Sequence, residues 1–500
     1  MPGVGRQLRA ADALSGAGIE GADVGLTMLS DLTERLDRSL PAGTGRIELV
    51  GEVRALLEDS QSELDQLELG PDGPLVPPLA DARLRAERGL EDLDEFLQRA
   101  ERISYAIESL LDDGDYLVLA ANNAEMRAGS GMFLNAGMLE AANGVIDVGD
   151  LRSTSELTLP GSAVDAGSPT YDDLWGFLEP TVEWRNLAAS PRFDVTAELA
   201  TRMWESQGNP RPQGVLAIDP FAVEAILAVT GPVDVGDRTI DADEVVDFLL
   251  NEQYDILGDL DSYEEYLESQ ETRGEVLSEL VEASIAALSD GSVDPVELLE
   301  GLRDAVRGRH ILAWSADDQV QAGWEAAEMA GELDVDSIMV SLLNRGVNKL
   351  DPFIDVEVEI DFQVSGDGDL RGVMDVAVAN EVPDGEVPYV AGPVLEAENV
   401  EAYGDYAGIL SVALPGVARD ARIEGRSSLE VAQPDGPFLT LATKFSVAQG
   451  AEQQFRITFD LVGDPETVRI EPDARPEPVE WRVGDDRWDD GHHHRVEVDP

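Results

Sequence analysis

Along the first 112 residues the apolar positions recur at helical spacing. Between Leu90 and Leu111 they fall at Leu90, Leu93, Leu97, Ala100, Ile107 and Leu111, the seam of a helical hairpin or short coiled coil. Ser104 interrupts that seam, and the segment GPDGPLVPP, ending at Pro78, breaks the helices before it. The pattern changes at Asp115. Tyr116 to Leu119 make a short apolar run suited to a buried strand, a polar loop follows, and MFLNAGMLEAANGVIDVGD reads as a hairpin turning at Asn143-Gly144. Gln213 to Ile218 is another buried strand, and Asp219-Pro220 opens a helix that ends at Gly231-Pro232. Asp241 with Glu244 marks a further helix start, and Asp294-Pro295 repeats the Asp-Pro start. His310 to Trp314 reads as a strand, followed by a helix capped by Ser315 and ending near Gly331. Strands and helices thus alternate from about 115 to 345, which predicts an α/β domain with a central mixed sheet.

After Asp351 the period becomes two. Ile354, Val356, Val358, Ile360, Phe362 and Val364 point one way, and Asp355, Glu357, Glu359, Asp361 and Gln363 the other. Phe455, Ile457, Phe459 and Leu461 repeat the alternation, and SGDGD, PDGEVP and PDGP supply turns, so an antiparallel β-sandwich is expected. The last stretch, EPDARPEPVEWRVGDDRWDDGHHHRVEVDP, is rich in proline and acid and predicts an irregular tail with one final short strand. The expected fold is multidomain α+β: a helical spacer over 1–112, an α/β domain over 113–350, a β-sandwich over 351–475 and an acidic tail over 476–500. No run approaches the roughly 18 apolar residues of a membrane span, and MPGVGRQLRAADALSGAG lacks the apolar core of a signal peptide. Membrane association is therefore expected only through a segment absent from this chain.

Charge narrows the function. Lys and Arg total 35 and Asp and Glu 102, so the net charge is 35 − 102 = −67. Such a chain repels phosphate backbones, which excludes nucleic acid as a partner, and it disfavours anionic membrane surfaces. Lysine occurs only at Lys349 and Lys444. An acidic, lysine-poor surface fits a protein adapted to high salt, where carboxylates hold water and cations; biased composition with a solubility surface gives the same pattern. Cysteine is absent, which excludes disulfides, thiolate nucleophiles and metal–thiolate sites. The run His492-His493-His494 reads as exposed tail rather than a metal site, and with His310 the only other histidine no Ser-His-Asp set can be assembled. No G-x-S-x-G, H-E-x-x-H, P-loop or EF-hand spacing occurs.

One stretch carries candidate chemistry. NNAEMRAGSGMFLNAG follows the Tyr116–Leu119 strand and places Asn122, Asn123, Glu125 and Arg127 beside Gly129 and Gly131. Loops at strand ends of α/β sheets bind ligands, and an arginine with amides and backbone N–H groups holds an oxyanion. The alternative is an internal network in which Arg127 pairs with Glu125 or another carboxylate and the amides satisfy loop backbone.

The segment YLVLAANNAEMRAGSGMFLNAGMLEAANGVI resembles the signature of the domain of unknown function 4012 family. The resemblance continues through QGVLAIDPFAVEAILAVTGPVDV, TIDADEVVDFLLNEQYDIL, HILAWSADDQVQAGWEAAEMAGEL and VSLLNRGVNKLDPFIDVEVEI. Ser130 stands where that family usually has glycine. More distantly, the order of elements is similar to the LytR–CpsA–Psr phosphotransferases, which move glycopolymers from a polyprenyl-pyrophosphate carrier. What the resemblance implies is an extracytoplasmic, envelope-associated protein that binds or handles a cell-surface glycopolymer or its lipid-linked precursor. In an enzyme of that type, Arg127, Arg152 and Arg273 would clamp pyrophosphate, with Glu125 or Asp150 holding Mg²⁺. The departures favour a non-catalytic binding module: the loop aspartate of those enzymes has no clear match, and Tyr254-Asp255 stands where they carry an R-D-R run.

If the acidity is an adaptation to salt, screening relieves self-repulsion, and the melting temperature rises as KCl is taken into the molar range. A flat or falling curve in a thermal scan points instead to compositional bias.

Overall fold

The structure, a computed structural model, describes residues 2–498 except 38–40, 71–72, 160–163, 169, 256–262, 290–292, 347, 365–369, 393–401 and 464; the side chains at 2–4, 255 and 263–275 also lie outside the described set. The first region is helical, as expected, over Pro2–Leu36, Thr44–Leu64 and Pro77–Asp113. The three helices bury Met28, Leu57, Leu64 and Leu97 between them. Ser104 does not break the seam: its hydroxyl donates to the Ala100 carbonyl at 2.8 Å, which satisfies it within the helix. Among the described residues no helix is long and apolar enough to cross a membrane.

The next region holds β1 (Gly114–Met126), β2 (Gly131–Ala142), β3 (Val145–Val148), β4 (Arg152–Ser153), β5 (Gly214–Ile218), a small hairpin of β6 (Val233–Val235) and β7 (Arg238–Ile240), and β8 (Ile311–Ser315). One sheet runs in the order β3-β2-β1-β5-β8, with β4 also on β2. Only β1 and β5 pair in parallel, so the sheet is mixed, as the alternation predicts. Local chemistry sets the element ends. Asn143 and Gly144 take φ of 53° and 76°, the left-handed pair that a two-residue hairpin turn requires. Asp219 accepts from the N–H groups of Phe221 and Ala222 at 2.9 and 3.1 Å, and Asp241 and Asp294 cap their helices in the same way. One cap differs from expectation. The helix Asp318–Ala326 is capped by Asp317, whose carboxylate reaches two N–H groups, while Ser315 Oγ accepts from the Asp317 N–H instead.

The remaining strands are β9 (Ser337–Asn344), β10 (Ile354–Val364), β11 (Leu370–Asn380), β12 (Tyr406–Leu414), β13 (Ala418–Ile423), β14 (Val431–Asp435), β15 (Phe438–Val447), β16 (Glu452–Leu461), β17 (Thr467–Ile470), β18 (Glu480–Val483), β19 (Asp486–Asp489) and β20 (His494–Glu497). They form two sheets, β13-β16-β11-β10-β18-β19 and β14-β15-β12-β9-β17-β20. Ile338, Leu342 and Leu410 from one sheet share a core with Val356, Met374 and Ile457 from the other. The alternation read along β10 is real: Ile354, Val356, Val358 and Ile360 are buried. The turn SGDGD falls outside the described residues.

Three expectations are corrected. β9 precedes the change of period, yet it pairs with β12 and β17 rather than with the first sheet. The strands are not all antiparallel, since β18 runs parallel to β10 and β17 parallel to β9. The C-terminal stretch is not irregular: β18, β19 and β20 extend both sheets, and Trp481 is wholly buried. His494 accordingly opens a strand, with its ring 4.8 Å from that of Trp488.

Ending the chain after Lys349 would strip β9 of both neighbours and open Ile338, Val340 and Leu342 to water. The expected product is insoluble or lacks fixed tertiary packing, read by near-ultraviolet circular dichroism and limited proteolysis. A compact, protease-resistant 1–349 fragment contradicts the placement of β9.

Candidate functional site

The candidate loop is in fact the end of a strand. Asn122 lies opposite Met132 and Met126 opposite Gly131, so Asn123, Ala124 and Glu125 are extra residues on β1, a bulge that re-aims their side chains. Gly131 permits the close approach, because a Cβ there would lie 2.5 Å from the Asn122 carbonyl carbon. Asn122 accepts from the Ala124 N–H at 2.9 Å and donates to the Tyr254 hydroxyl at 3.0 Å. Asn123 donates to Asp219 at 2.7 Å and to the Ala474 carbonyl at 2.6 Å. Both amides therefore fasten the strand end to other parts of the chain. Glu125 pairs with buried Lys349 rather than with Arg127.

Arg127 is buried and makes no ion pair among the described residues. Its Nε donates to the Arg185 carbonyl at 3.1 Å and to Asn186 Oδ1 at 3.3 Å; Nη1 donates to the carbonyls of Met126 and Asn344 at 2.8 and 2.9 Å. Among the described residues nothing accepts from Nη2. Burial pushes this guanidinium down to about 10, with Glu125 opposing the fall and Arg345 adding to it.

Arg127 faces a cleft of about 370 Å³ between the first sheet and the C-terminal strands. Glu125, Asn122 and Asn135 line it from one side, Glu183, Arg185 and Asn186 from the 176–189 segment, Gln253 from a third, and Arg345, Lys349 and Tyr389 from the C-terminal part. Arg185 forks onto Glu183 at 2.9 and 2.7 Å, and Lys349 lies 5.3 Å from the Tyr389 ring centroid. Arg345 is different. It is half-buried, burial lowers its guanidinium, and its side chain has no hydrogen bond or ion pair among the described residues. Phe177, 44% exposed, also lines the cleft.

Of the residues singled out from sequence, Asn122, Glu125 and Arg127 meet in this cleft, while Asn123 lies behind it. Arg152 is exposed, 3.8 Å from Glu156 and outside the lining, although its neighbours Ser153 to Ser155 belong to it. The Arg273 side chain falls outside the described residues. The Mg²⁺ assignment does not fit the donors: Glu125 is committed to Lys349, and Asp150 is exposed and off the lining. Among the described residues no three carboxylate or imidazole groups are gathered as a hard cation requires. His310 points its Nδ1 to Asp219 at 2.6 Å, also off the lining.

Arg185, Gln253, Arg345 and Lys349 were not foreseen as site residues. A usable signal existed for one: a chain that keeps lysine at only two positions keeps one of them, Lys349, buried.

Residues 112–254 match the family model described as Protein of unknown function (DUF4012). The match includes Asn122, Glu125, Arg127 and Gln253 but ends before Arg345 and Lys349. No curated protein and no solved structure matches the chain.

Arg127→Ala removes four hydrogen bonds from a buried site. The expected cost is roughly 2–4 kcal/mol in denaturant unfolding. A loss below about 0.5 kcal/mol would show that the bonds to neighbouring carbonyls are not structural.

Proposed function

We propose that this DUF4012 chain is an extracytoplasmic, envelope-associated protein that binds a cell-surface glycopolymer, or its polyprenyl-pyrophosphate-linked precursor, without transforming it. The observation that carries the reading is Arg127: a buried guanidinium that, among the described residues, has no carboxylate partner and a free Nη2, facing a cleft. Burying such a charge is costly until an anion completes it. Phosphate and pyrophosphate oxygens match the guanidinium fork. Phe177, with the Lys444 ammonium 5.6 Å from its ring centroid, adds a part-exposed aromatic side chain against which a sugar ring or polyprenyl chain could pack. The family resemblance supports the envelope location. The alternative, a metal-assisted glycopolymer phosphotransferase, is weaker because Glu125 is neutralised by Lys349 and no metal-binding set is gathered among the described residues.

The test is calorimetric titration of the full chain with farnesyl pyrophosphate, with Mg²⁺ and with chelator, alongside an assay for released phosphate. Saturable binding that ignores the chelator, with no release, is expected. Metal-dependent turnover would establish the transferase instead, and absence of binding would overturn both readings.

A further inference from the structure

Arg127 and Arg345 come from regions far apart in the chain, yet the fold brings them together. Arg127 Nη1 donates to the carbonyl of Asn344, the residue immediately before Arg345, and both guanidiniums line the same cleft. The other cations there, Arg185 and Lys349, already face Glu183 and Glu125. Among the described residues Arg345 faces no carboxylate and Arg127 retains a free Nη2. Two uncommitted guanidiniums around one volume ask for a group with more than one anionic oxygen.

A second, independent observation concerns Gln253. It follows a π-helical turn over Phe248–Glu252, a local widening of the helix that is frequent at functional sites. Its side chain is nine-tenths buried and lines the cleft. Nε2 donates to the Leu249 carbonyl, which fixes which end of the amide is oxygen. Oε1 is buried and has no donor among the described residues. A bare oxyanion cannot satisfy it, because two acceptors repel. The occupant must therefore bring a donor together with its anion.

We propose that the cleft takes a sugar phosphate, its phosphate held between Arg127 Nη2 and Arg345 and a sugar hydroxyl donating to Gln253 Oε1. This deepens the glycopolymer reading and rests on it: the recognised unit is the phosphorylated sugar itself. Arg345 is the anion-binding residue supplied by the C-terminal strands, and Gln253 distinguishes a glycosyl phosphate from a free phosphate.

The experiment titrates the full chain with glucose 1-phosphate, inorganic phosphate and glucuronate, and compares Arg345→Gln and Gln253→Met. Glucose 1-phosphate is expected to bind most tightly. Arg345→Gln should weaken both phosphate probes by about tenfold, since charge-assisted hydrogen bonds are lost. Its melting temperature should not change, because the side chain makes no internal bond. Gln253→Met should weaken glucose 1-phosphate about fivefold and inorganic phosphate clearly less; Gln253→Leu, which adds no charge to the anion site, repeats the comparison if the first variant melts early. The proposal is overturned if Arg345→Gln leaves affinity intact, if Gln253 variants affect both probes equally, or if glucuronate binds as tightly. Farnesyl pyrophosphate bound without any affinity for glucose 1-phosphate would reject this inference alone. The converse would reject the lipid-linked precursor as ligand and keep the sugar phosphate.

Discussion

Asp351 is wholly buried, and groups from four parts of the chain converge on its carboxylate. Oδ2 accepts from the Met126 N–H at 3.0 Å and from Asn344 Nδ2 at 2.8 Å. Oδ1 accepts from the Tyr406 hydroxyl at 3.0 Å and faces Arg475 Nη1 at 3.5 Å. Arg475 also donates to the carbonyls of Asp351 and Ile354 at 3.3 and 3.0 Å. Burial raises this carboxyl, and Arg475 with the surrounding donors pulls it back. A charge in such a place is tolerable only when every partner is present. The end of β1 and the end of β9 are thereby fixed against each other, and Arg127 and Arg345, one residue beyond each end, are fixed with them. The cleft depends on this node more than on either sheet alone.

The same constraint explains the uneven distribution of charge. Along the chain, carboxylates greatly outnumber cations, yet none of them pairs with Arg127 or Arg345 among the described residues. Among the described residues Arg127 and Arg345 are left without an ion pair because the nearby acids are already taken: Lys349 takes Glu125, Arg185 takes Glu183, and Arg475 faces Asp351. What is left in the cleft is Arg127 and Arg345 with one exposed carboxylate, Glu179, on the lining, a small net-positive site in a strongly negative protein. An anion reaching it gains short-range hydrogen bonds against a long-range repulsion that salt weakens.

Much of the fold was legible because its signals are local. Asp219, Asp241 and Asp294 cap helices through their own carboxylates, Asn143-Gly144 turns a hairpin by backbone preference, and β10 and β16 alternate because one face is solvated. β9 was misplaced because SIMVSLLN is buried on every face and has no period that assigns it to one sheet or another. The terminal strands were missed because proline and acid hide pairing that only the completed sheets reveal. At the site, Asn122, Glu125 and Arg127 stood out as a cluster in sequence. Their partners did not, since Lys349 lies 224 residues from Glu125 and Asn344 lies 217 from Arg127. Gln253 carried no signal at all beyond its place before Tyr254.

The most direct measurement is a crystal structure of the full chain with glucose 1-phosphate. The account predicts phosphate oxygens about 2.8 Å from both Arg127 Nη2 and the Arg345 guanidinium, with a sugar hydroxyl at Gln253 Oε1 and the Glu125–Lys349 pair intact. Phosphate bound elsewhere, or Arg345 turned away onto a carboxylate while the cleft holds the ligand, would contradict it.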